Sequence, residues 1–130
     1  MITRAQIVAE AREWIDTPFQ HQARLKAQGV DCVGLVIGVA HRLGLSSYDF
    51  TTYGRQPDAQ VMRTQLRGHL DEIPFSDIKM GDILWFRIAV EPQHLGIVTK
   101  ITPITIIHAY SRKGIARVVE HPLGEMWRRL

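Results

Sequence analysis

The sequence contains one cysteine in 130 residues, Cys32. A single cysteine excludes an internal disulfide, so the chain is not a small disulfide-stabilised scaffold and Cys32 is expected to be a thiol. Long apolar runs are missing as well, since no stretch approaches the roughly 18 residues of a membrane-spanning helix. The first residues lack a basic head followed by an apolar run, so we expect no secretory signal and synthesis in the cytoplasm.

A strong charge of one sign is also absent. The 16 Lys and Arg residues only slightly exceed the 13 Asp and Glu residues, and the formal net charge is +3. Nucleic acid binding favours a dense basic stripe with interleaved aromatic residues, and the basic residues here are scattered, so we expect no nucleic acid partner. The 45% apolar content suits a globular protein. Because no repeat or linker divides it, the whole chain, residues 1–130, is predicted to form one domain.

Three helices are predicted in the first part of the chain. Thr3 and Gln6 form a capping-box pair that begins the first helix, which should end near Asp16. The second helix covers residues 32–43 and the third covers residues 57–70, beginning at Pro57. The residues expected to face inward are Ile7, Val8, Ala11, Trp14 and Ile15 in the first helix, and Val61, Leu66 and Leu70 in the third.

The second helix is apolar almost all the way round, which places it in the middle of the domain. Asp31 precedes it and can accept hydrogen bonds from the free amides of its first turn. Gly34 and Gly38 each destabilise a helix by about 1 kcal/mol relative to Ala, which indicates that another backbone packs closely there. Gly44 is expected to end the helix.

Strands are predicted in the second part of the chain, after a loop over residues 17–30 that has no sustained period. Short β-branched or aromatic runs are separated there by turns that contain Pro or Gly. The predicted strands are Ile83–Ile88, His94–Ile101, Ile104–Tyr110 and Ile115–Glu120. Helices followed by a meander of strands indicate an α+β fold with an antiparallel sheet.

Cys32 lies where the second helix begins. The helix dipole and the unpaired amides of the first turn favour negative charge, so this position favours a thiolate. A small buried hydrophobic residue is the alternative interpretation, and it is the commoner one for a cysteine taken alone. A nucleophilic thiol also requires a base, and histidine suits that role near neutral pH.

Two histidines are positioned to serve such a thiol. His94 begins one predicted strand and His108 ends the next, so an antiparallel hairpin would bring both to the same end of the pair. His94 would then face the thiol as the base, and His108 would hold its other ring nitrogen and fix its tautomer. The remaining histidines, His21, His41, His69 and His121, are expected to make structural hydrogen bonds.

A zinc site is the competing interpretation of the same residues. The Cys32 thiolate with the imidazoles of His94 and His108 would supply three ligands and leave a fourth position open. Zinc sites built around cysteine usually contain closely spaced Cys or His pairs, which this sequence lacks. We therefore expect no metal and no other cofactor.

Several short segments match the motifs of one enzyme family in the same order. They are Asp31–Val36 (DCVGLV), Met80–Leu84 (MGDIL), His94–Val98 (HLGIV) and Ile107–Ala109 (IHA). These segments resemble the nucleophile helix, the segment before the base, the base strand and the third-residue strand of the NlpC family of bacterial cell-wall cysteine peptidases. Three further segments, Trp14–Ala23, Val119–Leu123 and Trp127–Leu130, are similar to the branch of the family found in phage tail genes.

The resemblance implies a single papain-like α+β domain with a central nucleophile helix. Its implied activity is hydrolysis of amide bonds in peptidoglycan stem peptides, commonly the bond between D-glutamate and diaminopimelate or lysine. Cys32 would be the nucleophile, His94 the base and His108 the residue that orients the base. The tail branch implies a protein that is assembled into a phage tail with other tail proteins and acts at the host cell wall.

The resemblance also implies a set of residues beside the oxyanion and the substrate: Phe19, His21, Gln22, Asp31 and Val33. Phe19 stands where the family usually has Tyr and has no hydroxyl to donate, so either His21 or Gln22 replaces that donor or turnover is slow. Val33 stands where the family usually has Ser. Two alternatives stay open: a weakly active or inactive structural tail-tip assembly protein on the same fold, and an amidase or acyltransferase with a different pocket.

Overall fold

The computed structural model describes residues 1–51, 53–54, 58–88, 91–112 and 114–124. Its helices are α1 (Arg4–Arg12), α2 (Cys32–Arg42) and α3 (Ala59–His69), with a short 3₁₀ turn at Phe75–Asp77. Its strands are β1 (Arg24–Leu25), β2 (Gly29–Val30), β3 (Ile83–Ile88), β4 (Glu91–Ile101), β5 (Ile104–Arg112) and β6 (Ile115–Pro122). The predicted α+β order, with helices first and strands second, is confirmed.

The four long strands form an antiparallel meander in which each strand pairs with the next, in the order β3-β4-β5-β6. Ile97 on β4 lies opposite Ile107 on β5, and His108 lies opposite Val119 on β6. Side chains alternate between the two faces of a sheet. The register therefore decides which residues face the helices.

The helices pack on one face of this sheet through a buried cluster that joins α1 and α2 to β4, β5 and β6. The cluster contains Ala11, Trp14, Val30, Leu35, Val39, Ile97, Ile107, Ala109 and Val118. Each large aliphatic side chain buried in this way stabilises the fold by about 1.5–3 kcal/mol. The cluster thereby holds α2, whose first residue is Cys32, against the sheet.

The other face of the sheet carries a smaller cluster. Val98 and Ile106 are fully buried there and pack with Leu84, Phe86 and Tyr110. His94 and His108 are each an even number of residues from these side chains along their strands, so they share this second face. The two histidines therefore lie in an apolar environment.

The first helix and the segment after it follow the prediction in part. The Thr3–Gln6 capping box is present, but α1 ends at Arg12. Ile15 therefore falls in the turns that follow and is 37% exposed, so its predicted inward position is wrong. Residues 17–30 are not wholly loop, because the two-residue strands β1 and β2 pair within them.

The third helix presents a different face from the predicted one. Met62 is its most buried residue, at 2% exposure, and Leu66 packs against the same cluster. Val61 and Leu70, predicted to face inward, are 40% and 42% exposed. Each residue turns a helix by about 100°, so a face centred on Met62 leaves Val61 at its margin.

The two helical glycines of α2 explain how closely neighbours approach this helix. A methyl group on Gly34 would overlap the backbone carbonyl oxygen of Ala23, as predicted for close backbone packing. A methyl group on Gly38 would instead overlap the ring of Trp14, so the neighbour there is a side chain and that part of the prediction is wrong. Both glycines are required by tight packing of α2.

Some predicted features lie outside the described residues. They are Pro57, expected to begin the third helix, and Trp127–Leu130, part of the resemblance to the tail branch. Within the described ranges, no helix is long and apolar enough to cross a membrane.

Candidate active site

Cys32 is the first residue of α2, directly after its N-cap Asp31. The Asp31 carboxylate accepts a hydrogen bond from the amide of Gly34 through Oδ1, at 2.7 Å, which fixes the first turn as predicted. Cys32 is partly buried and packs against an apolar cluster that includes Val33 and Leu95. The free amides of this turn give the thiol the positively polarised surroundings of a helix start.

Asp31 also holds two loops to the start of α2 through its second oxygen. Oδ2 accepts hydrogen bonds from the backbone amide of Gln22 and from the Tyr53 hydroxyl, both at 2.7 Å. The Nδ1 atom of His21 lies 3.9 Å from the same oxygen. We call the group of Asp31, His21, Gln22, Gly34 and Tyr53 the Asp31 cluster. It places three of the sequence-predicted residues within reach of the first turn of α2.

Tyr53 was not predicted from the sequence. Its side chain is 8% exposed, its ring meets His21 edge-on at 5.7 Å, and it packs in the same cluster as Cys32. Burial and the Asp31 carboxylate raise the pKa of Tyr53 above its ordinary value, so the hydroxyl keeps its proton and remains a donor. No periodicity marks residues 46–54, and Tyr53 lies 22 residues from Asp31. The sequence thus offered no local signal for this contact.

Phe19 and Val33 occupy apolar surroundings. The Phe19 ring packs against the main core cluster, and its backbone amide donates to the Ala116 carbonyl at 2.8 Å. Val33 is 6% exposed and lies in the cluster that contains Leu95. The hydroxyl that this structure brings near the first turn of α2 therefore comes from Tyr53, in a different part of the chain.

His94 and His108 lie together, as the strand arrangement predicted. The Nε2 atom of His94 is 2.6 Å from Nδ1 of His108, and the two side chains are 1% and 0% exposed. The ring of Phe86 meets the His94 ring edge-on at 5.2 Å. This contact satisfies the geometric part of the prediction, in which His108 holds one ring nitrogen of His94.

A third histidine extends the pair. The Nε2 atom of His121 is 2.8 Å from Nε2 of His108, and its Nδ1 atom is 2.9 Å from the Pro122 carbonyl oxygen. We call His94, His108 and His121 the imidazole row. His121 was expected to make only a structural hydrogen bond. The β5–β6 register would have identified it, because His121 lies opposite Ile106 and is therefore a diagonal neighbour of His108.

The imidazole row holds His108 in its neutral form. Burial lowers the pKa of His108 well below its ordinary value, and the adjacent rings of His94 and His121 lower it further. A neutral imidazole carries one N–H and one lone pair. His108 can therefore accept on one side and donate on the other.

Cys32 and His94 lie on neighbouring elements, since α2 packs against β4. The β4 side chain in the Cys32 cluster is Leu95, the residue after His94. Among the described residues, no group of three or more His, Cys, Asp or Glu side chains is arranged to hold a metal ion. What the site offers is a thiol at a helix start and a buried pair of imidazoles on the adjoining strands.

Comparison with solved structures identifies the architecture. The NlpC/p60 domain of the peptidoglycan hydrolase SagA matches with a TM-score of 0.66 and 22% identity, over 95% of this chain and 92% of that one. The chain has the NlpC/p60 fold. A Staphylococcus aureus Mu50 protein described as similar to a lipoprotein of the NLP/P60 family also matches, with a TM-score of 0.64 and 18% identity. That match covers 97% of this chain and 38% of the other protein.

The NlpC/p60 fold is found by comparing structures and not by comparing sequences. No family model and no curated protein matches the sequence. The papain-like fold expected from the short motifs is nevertheless the one observed. Motifs of three to six residues were therefore enough to predict an NlpC/p60 fold, although this chain and the SagA domain are only 22% identical overall.

Proposed function

We propose that this protein is a cysteine peptidase that cleaves amide bonds in peptidoglycan stem peptides. The observation that carries the proposal is the buried 2.6 Å contact between His94 and His108, on an NlpC/p60 fold whose Cys32 begins the central helix. A helix-start cysteine beside a histidine oriented by a third group is the arrangement that activates a thiol. Cys32 is the proposed nucleophile, His94 the base and His108 the orienting residue.

The proposed reaction is acyl transfer in two steps. The proton of Cys32 passes to Nδ1 of His94, since His108 occupies the Nε2 side, and the sulfur attacks the substrate carbonyl carbon. Amides of the first turn of α2 stabilise the oxyanion. The C–N bond breaks as His94 returns the proton to the leaving amine. Water, deprotonated by His94, then cleaves the thioester and restores the thiol.

The substrate and setting are finer parts of the proposal. SagA, which shares the fold, is described as a peptidoglycan hydrolase, and the net charge of +3 suits an anionic cell wall. The D-glutamyl–diaminopimelate bond is the proposed cleavage point, on the strength of the motifs around Cys32, His94 and His108. The segments similar to the tail branch support a protein made in the cytoplasm, assembled into a phage tail and acting at the host wall.

A structural tail protein with an inactive site is the second candidate, and two observations favour it. Phe19 packs in the core and supplies no hydroxyl near Cys32. Alternation along β4 directs Leu95 toward α2, whereas His94 lies on the face that carries Phe86. Pairing of the Cys32 thiol with His94 is therefore the step that the experiment must establish.

The test is digestion of purified muropeptides of several stem types, with products identified by mass spectrometry. The wild-type protein is expected to release new fragments, and Cys32→Ala and His94→Gln are expected to release none. His41→Ala is the matched control, because His41 is exposed and its side chain contacts only the Tyr48 carbonyl among the hydrogen bonds described. Fragment masses identify the cleaved bond.

Iodoacetamide alkylation of Cys32 at neutral pH separates the two candidates when no fragment appears. A thiolate paired with His94 should react faster than a model thiol, and His94→Gln should slow it. Slow alkylation in both proteins, with no muropeptide cleaved, would favour the structural tail protein. Rapid alkylation without cleavage would point to a different acyl-transfer substrate on the same fold.

A further inference from the structure

The imidazole row ends on an atom that can only accept a hydrogen bond. The Nδ1 atom of His121 lies 2.9 Å from the carbonyl oxygen of Pro122. A carbonyl oxygen has lone pairs and no proton, so Nδ1 must carry the N–H of His121. The other nitrogen of a neutral His121, Nε2, then carries a lone pair.

This end fixes the proton positions along the whole row. Nε2 of His121 lies 2.8 Å from Nε2 of His108, so His108 must donate its N–H there and its Nδ1 atom must accept. Nδ1 of His108 lies 2.6 Å from Nε2 of His94, so His94 donates through Nε2. Nδ1 of His94 is left with the lone pair.

We propose that His121 is a positioning residue, which acts through His108 to hold His94 in the tautomer that has its lone pair on Nδ1. The proposal rests on the proposed function in one respect, since that lone pair matters for chemistry only if His94 is the base for Cys32. The tautomers themselves follow from the row and the Pro122 carbonyl. His121 is distinct from the orienting residue His108 because it touches neither the base nor the thiol through any hydrogen bond described.

The burial of His108 supports these proton positions along the imidazole row. His108 is fully buried, and its pKa is held well below the ordinary value by burial and by the rings of His94 and His121, so it stays a one-proton donor. Tyr110, on the same strand, also faces it, with ring centres 5.2 Å apart. When His94 takes a proton at Nδ1, its Nε2–H still donates to His108, and the aligned row stabilises the imidazolium without a carboxylate.

Two substitutions separate tautomer control from simple packing. His121→Gln keeps an acceptor for His108 and an amide N–H for the Pro122 carbonyl. His121→Leu keeps bulk but leaves the buried Nε2–H of His108 without an acceptor, which favours moving that proton to Nδ1. The row then reverses, and His94 carries its N–H on Nδ1, where it can no longer accept the proton of Cys32.

The first measurement is ¹⁵N NMR of the histidine rings in the full chain, which distinguishes Nδ1–H from Nε2–H tautomers. The expected wild-type pattern is Nε2–H for His94 and His108 and Nδ1–H for His121. His121→Gln should preserve the Nε2–H tautomers of His94 and His108, and His121→Leu should shift both of these rings to the Nδ1–H tautomer. His41→Gln serves to remove one unrelated ring signal and should leave the row unchanged.

The second measurement is the rate of Cys32 alkylation by iodoacetamide across a pH series, with muropeptide turnover beside it. His121→Leu should lower alkylation at neutral pH and the value of kcat by about 10-fold or more, with KM unchanged, and His121→Gln should recover most of the loss. Unchanged tautomers and an unchanged alkylation profile in a folded His121→Leu protein would overturn the proposal. Predicted tautomers in a wild-type protein that cleaves no muropeptide would leave it standing and overturn the peptidase function instead.

Discussion

The Asp31 cluster and the imidazole row both hold polar groups in a buried setting, but they do so by different physical means. Asp31 is 3% exposed and charged, and it gathers donors from three parts of the chain around one carboxylate. The neutral rings of the imidazole row carry no formal charge, and which nitrogen of each ring donates depends on which nitrogen of the neighbouring ring accepts. The carboxylate of Asp31 fixes the positions of three chain segments, whereas the hydrogen bonds of the imidazole row fix which ring nitrogens carry the protons.

The largest expected effect comes from removing the centre of the Asp31 cluster. Asp31→Ala leaves the amides of Gln22 and Gly34 and the Tyr53 hydroxyl without their acceptor, and we expect a loss of about 3–5 kcal/mol in the free energy of unfolding. Asp58→Ala is the matched control, since Asp58 is exposed and caps α3 by accepting from two backbone amides. It should lose only about 1 kcal/mol.

Urea denaturation of both proteins measures this difference. Equal losses in Asp31→Ala and Asp58→Ala would mean that the two loops tied to Asp31 add nothing to its role as a helix cap. The comparison with the row would then fail, because Asp31 would fix one turn of α2 rather than three segments.

Tight backbone packing beside Asp31 gives the next effect. A methyl group on Gly34 would overlap the Ala23 carbonyl oxygen, so Gly34→Ala should destabilise the fold by about 2–3 kcal/mol. On the row side, a methyl group on Gly96 would lie 3.3 Å from the flexible end of Ile106, so Gly96→Ala should lose about 1 kcal/mol or less. Gly68→Ala in open space on α3 should gain up to about 1 kcal/mol.

Thermal and urea unfolding of the three glycine variants test the same contrast. A Gly34→Ala protein as stable as Gly68→Ala would show that the loop of Ala23 can retreat from α2 without loss. That result would weaken the view of the Asp31 cluster as a rigid junction.

Local sequence signals accounted for one of the two regions better than for the other. The cap of Asp31 and its Gly34 partner are three residues apart, so propensity and spacing were enough to predict them. Tyr53 reaches Asp31 from 22 residues away through a segment with no periodicity, and no local rule could place it. The burial of Met62 in place of Val61 is a similar case, since packing decides which face of α3 turns inward.

The sheet shows the same limit. Strand patterns and chain order predicted that His94 and His108 lie at the same end of a hairpin with its turn near Pro103, and the structure brings their rings into contact. The inclusion of His121 depends on the register of a further strand pair, and Ile106 opposite His121 is known only from the structure. Element existence was predictable; register and loop contacts required the fold.

Tyr53 offers a smaller perturbation of the Asp31 cluster. Tyr53→Phe removes one donor to a buried carboxylate but leaves the ring in place, so we expect a loss of about 1–2 kcal/mol in the free energy of unfolding. Tyr48→Phe is the control, because the Tyr48 hydroxyl contacts Gln65 instead. A loss in Tyr53→Phe no larger than in Tyr48→Phe would mean that Asp31 replaces this donor with water.

The smallest expected effect distinguishes the two regions by pH. The pKa of His108 is lowered on folding from an ordinary value of 6.5. As the pH falls, the unfolded chain therefore binds a proton at His108 that the folded chain does not bind. This contribution to stability is complete well above pH 6.5 and is lost as pH falls through 6.5 toward the folded pKa, by about 0.8 kcal/mol between pH 7.5 and pH 6. His108→Leu should flatten this part of the urea-derived stability curve.

The Asp31 cluster should respond at the opposite end of the pH scale. The pKa of Tyr53 is raised above an ordinary value of 10.0, so the unfolded chain loses a proton that the folded cluster keeps, and stability falls as pH rises above 10. Burial also raises the pKa of Tyr48, so Tyr53→Phe should reduce the alkaline loss rather than abolish it, and should leave the acid loss of the row intact. His108→Leu should flatten the acid limb and leave the alkaline loss unchanged. The Tyr53 hydroxyl, bonded to the Asp31 carboxylate, contributes to the alkaline limb of the stability curve, and the buried neutral ring of His108 contributes to the acid limb. A single variant that flattens both limbs would therefore show that the Asp31 cluster and the imidazole row are coupled through α2 and β4 rather than independent.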